Sequence, residues 1–407
     1  MMSYFGRFNY NYMSKYLLEM NLRYDGSSKF RPENRCDFFY GFSGGWRLSE
    51  EGFLKDADWL DNLKLMAGYS VLNQDLDISD YYMYATKFTQ AGTWWGWSEV
   101  NNSMQTTDFL QGGNPDLGYI KRKEFTVGLD ASLWKGLVRL NANYFVTNTE
   151  GLLAQPQNYP SYFQTYYPKS DMRPYINMNN QRRTGVDLSV NVGKKHGDFE
   201  WNVGLVGMYY TSKNTKWDEN VKYDWLKAEG EAIDALRGYQ CIGFFKDAAD
   251  VESSAKVNAN TKPGDLKYVD QNNDGVINEQ DQVVLGKWGA SWVMGLNLTA
   301  KYKGFTLFVA GTGSFGGKGL KNNSYMHVYG DRKYSEVVRG RWTEETADIA
   351  TYPRLTTQGG DLNFVASDFW LYDTSRFDLN RVQLSYDFPA AMLKGKLVKG
   401  LQIYANG

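Results

Sequence analysis

The residues best placed to do chemistry lie in one run, YVDQNNDGVINEQD, at positions 268–281. Counted from Asp270 as the first position of an EF-hand-like calcium loop (270–281), Asn272 falls third, Asp274 fifth, Gly275 sixth, Asn278 ninth and Asp281 twelfth, and Val276 offers its carbonyl at the seventh. Calcium is a hard cation that takes roughly six to eight oxygen ligands, and every liganding position here carries one, with Gly275 suited to the sharp turn. Asp281 stands where a sensor has a bidentate Glu, and the preceding PGDLKYV has the look of a strand rather than a helix. The expectation is a structural calcium staple, not a switch. The competing reading is an Asx-rich turn closed by its own side chains.

A second constellation is TWWGWSE, which sets Trp94, Trp95 and Trp97 beside Glu99 and Asn101. Exposed indole faces stack on the apolar C–H faces of sugar rings, and Glu99 and Asn101 would serve the hydroxyls. The alternative is that these tryptophans pack a large loop against itself. TGSFGGKGL, residues 312–320, lacks the spacing of a phosphate-binding loop and reads as a flexible exit from a strand. Of the two histidines, His196 falls in a turn and His327 in a long loop, expected at opposite ends of the strands, so no His-based triad or paired-His metal site assembles. Carboxylates are plentiful but no pair stands out as a glycosidase site, and no catalytic residue is assigned. Cys36 and Cys241 match no zinc or redox spacing.

With 45 Lys+Arg against 46 Asp+Glu, the formal net charge is −1, which gives no general attraction to nucleic acid. Aromatics make up 16% of the chain and Gly outnumbers Pro 41 to 9, a balance that favours strands. No apolar run is long enough for a membrane-spanning helix, and the opening MMSYFGRFNY does not have the pattern of a signal peptide.

The elements that position these residues alternate with period two. In YLLEMNLRYD (16–25), Tyr16, Leu18, Met20, Leu22 and Tyr24 share one face, and Glu19, Asn21, Arg23 and Asp25 the other. The pattern recurs to give about 12 strands. Short turns near 13–15, 135–136, 194–198 and 303–304 alternate with long segments near 73–122, 149–180, 212–289 and 314–375. Strands of about ten residues, one face apolar and one polar, with turns at one rim and long loops at the other, define a transmembrane antiparallel β-barrel. Ten residues at ~3.3 Å rise and ~45° tilt span roughly 23 Å, close to the apolar band of such barrels. Tyr12, Tyr16, Tyr24, Tyr69, Tyr144 and Tyr209 would form the interfacial girdle, and Arg23, Arg139 and Asp187 would face a hydrated lumen.

SYFGRFNYNYMSKYLLEMNLRYDGSSKF, GFSGGWRLSEEGFL, WLDNLKLMAGYS, KPGDLKYVDQNNDGVINEQDQVVLG and the run from RWTEETADIATYPRL to SDFWLYDTSRFDLNRVQLSYDFP together resemble the SusC/RagA-like TonB-dependent outer-membrane transporters, across nearly the whole chain. The resemblance implies a 22-stranded all-β barrel in the Gram-negative outer membrane, occluded by an amino-terminal plug, energised by TonB–ExbB–ExbD and capped by a SusD-like lipoprotein. It also implies import of oligosaccharides, in some cases peptides. On this reading the chain is a piece of such a barrel, lacking the plug, the TonB box and the last strands, and transports nothing by itself; Trp94, Trp95 and Trp97 would then pack against the lid or meet substrate. The alternative of a different class is a calcium-stabilised, β-rich carbohydrate-binding protein that does not transport.

Overall fold

The computed structural model describes residues 2–75, 78, 80–92, 105–159, 173–357, 363–393, 398 and 400–407. Its main body is a 12-stranded antiparallel sheet in which each strand pairs with its neighbours in sequence. The strands are β1 (Met2–Tyr12), β2 (Tyr16–Gly26), β3 (Cys36–Arg47), β4 (Leu60–Gln74), β5 (Ile120–Leu133) and β6 (Val138–Ala154), followed by β7 (Ile176–His196), β8 (Phe199–Lys216), β9 (Trp292–Tyr302), β10 (Phe305–Phe315), β11 (Arg376–Asp387) and β12 (Gln402–Asn406). This is an up-and-down meander, the topology of an outer-membrane barrel wall.

Local chemistry sets the hairpins. The β9–β10 turn places Lys303 at φ 46° and Gly304 at φ 89°, the pair of left-handed residues that a two-residue turn needs to match strand twist. A Cβ on Gly304 would lie 2.8 Å from the Asp387 carbonyl oxygen, so glycine is required there on both counts. Turns and short connections at 13–15, 48–59, 134–137, 197–198, 303–304 and 388–401 share one rim, and the connections 27–35, 75–119, 155–175, 217–291 and 316–375 share the other.

Register aligns the two faces across the sheet. Leu18, Gly44, Ala67, Val127, Tyr144, Val186 and Tyr209 are successive cross-strand partners on one face. Asn21, Gly41, Ser70, Glu124, Thr147 and Arg183 succeed one another on the opposite face. The apolar side chains remain exposed, Val127 at 42%, Tyr144 at 44% and Val186 at 44%. An apolar face continuous over the sheet and left uncovered by protein is one that faces lipid.

The strands are not all of the ten residues the pattern predicts. β6, β7 and β8 run to 17, 21 and 18 residues. The extra length is Asn-rich sequence such as INMNNQ (176–181) at the long-loop end, where both faces meet water and alternation of polarity has no cause to persist.

At that end the connections fold into two lobes, each with a core. Phe30, Ile78, Met83, Leu117 and Tyr119 pack on Phe39 of β3. Leu266, Tyr268 and Ile277 from one connection pack against Val328, Val338, Tyr352 and Trp370 from the other.

Candidate functional site: the inner wall and its mouth

The polar face of the sheet carries charges that are mostly neutralised in place. Arg7 pairs with Glu19 at 2.7 Å, Arg23 with Asp25 at 2.6 Å and Lys301 with Glu200 at 3.3 Å. Between them runs an amide ladder. Asn143 Nδ2 donates to Asn141 Oδ1 at 2.7 Å and to Asp187 Oδ1 at 2.8 Å, and Asn191 and Asn202 exchange amide hydrogen bonds at 3.0 and 2.7 Å. Gly128 stands opposite Asn143, and a Cβ there would collide with the Asn143 side-chain oxygen. Arg23, Arg139 and Asp187 all lie on this polar face: Arg139 is exposed near the turn rim, its register partners Ser132 and Asn191, and Asp187 is half-buried under Asn143. The wall thus presents paired charges and amides, chemistry suited to water and to neutral polar solutes.

At the mouth a cavity of about 460 Å³ opens on the same face, lined among others by Asn21, Arg23, Asp25, Ser70, Asp75 and Tyr119. Tyr119 anchors its edge, donating its hydroxyl to the Arg35 carbonyl at 2.9 Å, and burial pushes its phenol up to about 12. Asp75 accepts from Ser27 Oγ at 2.6 Å, and Lys29 Nζ reaches the Asp75 carbonyl at 2.9 Å. Tyr119 and Asp75 went unread in the sequence, because neither belongs to a spaced motif and the residues they meet are distant in the chain.

The calcium-like loop closes on its own backbone. Asp270 accepts from the N–H of Asp274 at 3.3 Å and of Gly275 at 2.8 Å, Asn272 Oδ1 from Asp274 N–H at 2.9 Å, and Asp274 Oδ1 from Val276 N–H at 2.9 Å. Asn278 Oδ1 accepts from Gln280 N–H at 2.8 Å. Asp281, fully buried, accepts from Gln271 N–H at 3.0 Å and Asn278 N–H at 2.8 Å. Gly275 takes φ 82°, the turn expected of it. Among the described residues no three His, Cys, Asp or Glu side chains converge on one point. The loop is tied down by Ile277 in the lobe core and by Trp225, whose Nε1 donates to the Gln280 carbonyl at 2.8 Å.

Trp94, Trp95, Trp97, Glu99 and Asn101 lie outside the described residues. The 312–320 run leaves β10 and continues into a short strand, Lys318–Leu320, paired with Leu371–Asp373. His196 ends β7 at the turn rim, whereas His327 is buried in the lobe core between Phe364 and Trp370. Both cysteines are free, and burial pushes the Cys241 thiol up to about 11, so it is a poor thiolate source.

No family model matches the chain. It is 30% identical over 431 residues to the TonB-dependent receptor P26 of Formosa agariphila, covering 100% of this chain and 41% of that protein. To the TonB-dependent receptor SusC of Bacteroides thetaiotaomicron it is 24% identical over 417 residues, covering 100% of this chain and 40% of the relative. The solved structure of the RagAB peptide importer in the closed-closed state superposes with a TM-score of 0.77 at 20% identity, over 99% of this chain and 43% of that one. The fold is therefore that of a transmembrane β-barrel wall of the outer membrane. Along its whole length the chain is similar to TonB-dependent receptors, SusC among them, and it spans about two fifths of the length of the curated relatives it matches.

Proposed function

We propose that the receptor to which this wall belongs imports large nutrients, oligosaccharides or peptides, across the outer membrane. Energy would come through TonB–ExbB–ExbD, and a SusD-like surface lipoprotein would hold substrate against the mouth. The observation that carries this reading is the pairing of an apolar outer face with an inner face of paired charges and amides, under two structured lobes at one rim. That combination makes a water-filled passage with a shaped entrance. In this reading the chain is not an enzyme: it supplies wall and mouth, and its polar groups bind and pass substrate unchanged.

Uptake of labelled oligosaccharide and oligopeptide mixtures by cells with and without the gene tests it. Loss of uptake of one class on deletion, with the same loss on collapsing the proton gradient, is the expected result. Unchanged uptake of both would favour the non-transporting carbohydrate-binding alternative. Within the import reading, Trp94, Trp95, Trp97 and Glu99 are proposed as sugar contacts, and replacement of the three tryptophans by Ala should weaken substrate binding by the intact receptor.

The 270–281 loop is proposed to take structural calcium through Asp270, Asn272, Asp274, the Val276 carbonyl, Asn278 and Asp281. Each of their oxygens that accepts an N–H retains a second lone pair for a cation. Asp270→Ala with Asp274→Ala should abolish the heat of calcium binding measured by calorimetry; an unchanged heat removes the site.

A further inference from the structure

Above the apolar band, the lipid-facing side of the sheet carries a row of cations. In register, Lys123 of β5 faces Asn148 of β6, Asn148 faces Arg182 of β7, and Arg182 faces Lys213 of β8. Their side is fixed by the same alternation that sets Phe125, Tyr144, Val186 and Tyr209 toward lipid, for Lys123 lies two residues from Phe125, Arg182 four from Val186 and Lys213 four from Tyr209. Lys123 is neutralised by Glu150 at 2.6 Å. Arg182 Nε donates to the neutral Asn148 at 2.7 Å, and among the described residues neither Arg182 nor Lys213 has a carboxylate partner.

Two like charges directly opposite on adjacent antiparallel strands repel, with their Cβ atoms roughly 5 Å apart. Among the described residues no carboxylate relieves this pair. The height is that at which long basic side chains leave the hydrocarbon for the headgroups, their stems lying along apolar and aromatic neighbours. A single phosphate fits between a guanidinium and an ammonium at this spacing and would convert the repulsion into two charge-assisted hydrogen bonds.

We infer that Arg182 and Lys213, with Asn148 and Lys123 alongside, bind the phosphate of an outer-leaflet glycolipid. Charge complementarity selects the occupant: clustered basic residues at the membrane surface recognise anionic headgroups, and a phosphorylated glycolipid presents such a group. The patch lies on the lipid side of the wall and therefore apart from the substrate passage. Occupied, it fixes the height of β7 and β8, whose extensions carry the lobes.

The intact receptor, purified in detergent, is titrated with diphosphoryl lipid A and with the dephosphorylated lipid, and complexes are counted by native mass spectrometry. The phosphorylated lipid is expected to bind more tightly, and Arg182→Gln with Lys213→Gln to weaken it by roughly 30-fold, the equivalent of two basic contacts at about 1 kcal/mol each. A second variant, Lys213→Glu, replaces the repelling pair with an ion pair that keeps the hairpin together, and it should lose the same preference while melting no lower than wild type. Equal binding of the two lipids, or wild-type binding by the correctly folded Lys213→Glu protein, would overturn the inference.

Discussion

The wall and the outer lobes solve opposite problems. Along the wall, large apolar side chains remain exposed: Tyr4 at 62%, Phe8 at 52% and Leu18 at 47%. In the lobes, Leu266, Phe245 and Trp370 are each about 2% exposed and Phe30 and Ile78 are fully buried. The wall takes its apolar contacts from a bilayer, whereas the lobes must make a core from their own sequence. The difference teaches where each can be broken. A polar change fails on the wall's outer face because lipid cannot solvate it, and in the lobes because a specific partner is lost.

The sharpest break in the lobes is at their buried polar knot. Asp265, 1% exposed, lies 2.7 Å from Arg354 Nε without the alignment of a hydrogen bond, while Arg354 Nη2 donates to it at 3.1 Å. Asn363 Nδ2 donates to Asp265 Oδ1 at 2.9 Å, and Asn363 Oδ1 accepts the Leu266 N–H at 2.7 Å. Arg354→Ala leaves a buried carboxylate without its cation and should destabilise the lobe by about 3–5 kcal/mol. Limited proteolysis of the intact receptor should then cut the 217–291 and 316–375 connections while the barrel keeps its heat-modifiable migration on gels.

On the wall, Leu188→Arg puts a cation on the lipid face in the middle of the apolar part of β7. The expected loss is about 2–4 kcal/mol, measured as the denaturant midpoint of the protein in lipid, with the lobes unaffected. An equal loss on replacing Ser189, its neighbour on the polar face, by Arg would contradict the assignment of faces.

The smallest effect sharpens the contrast through pH. Burial, and secondarily the nearby Arg332, hold the His327 imidazole below its ordinary value, with the Lys321 carbonyl opposing. A depressed histidine favours the folded lobe fully above the unfolded value of about 6.5, and that stability declines as pH falls below it, because the unfolded chain then binds the proton first. Proteolytic resistance of the lobe should drop between pH 7.5 and pH 5.5, and His327→Phe should flatten that drop.

Much of the wall was legible because its rule is local. Period two in 16–25 and 125–133 places each side chain without knowledge of its partner. The tight turns at 13–15 and 303–304 and the long connections on the other rim were legible for the same reason. The rise of β7 beyond the membrane was not, since a strand wet on both faces has no alternation to read. Nor was the knot of Asp265, Arg354 and Asn363, whose members are 89 and 98 residues from Asp265 in sequence. The EF-hand-like spacing located a real turn at Gly275, but spacing alone does not say whether Asp281 faces a cation or the backbone N–H groups it accepts here.

The central claim is that this sheet crosses the outer membrane with its lobes outside, and cysteine labelling of intact cells tests it most directly. In a background with Cys36 and Cys241 replaced by Ser, Tyr334→Cys marks a lobe position that is 70% exposed and Lys303→Cys marks the β9–β10 turn. A membrane-impermeant maleimide should label position 334 in intact cells and position 303 only after the outer membrane is broken. Equal labelling of both in intact cells, or the reverse order, would contradict the account.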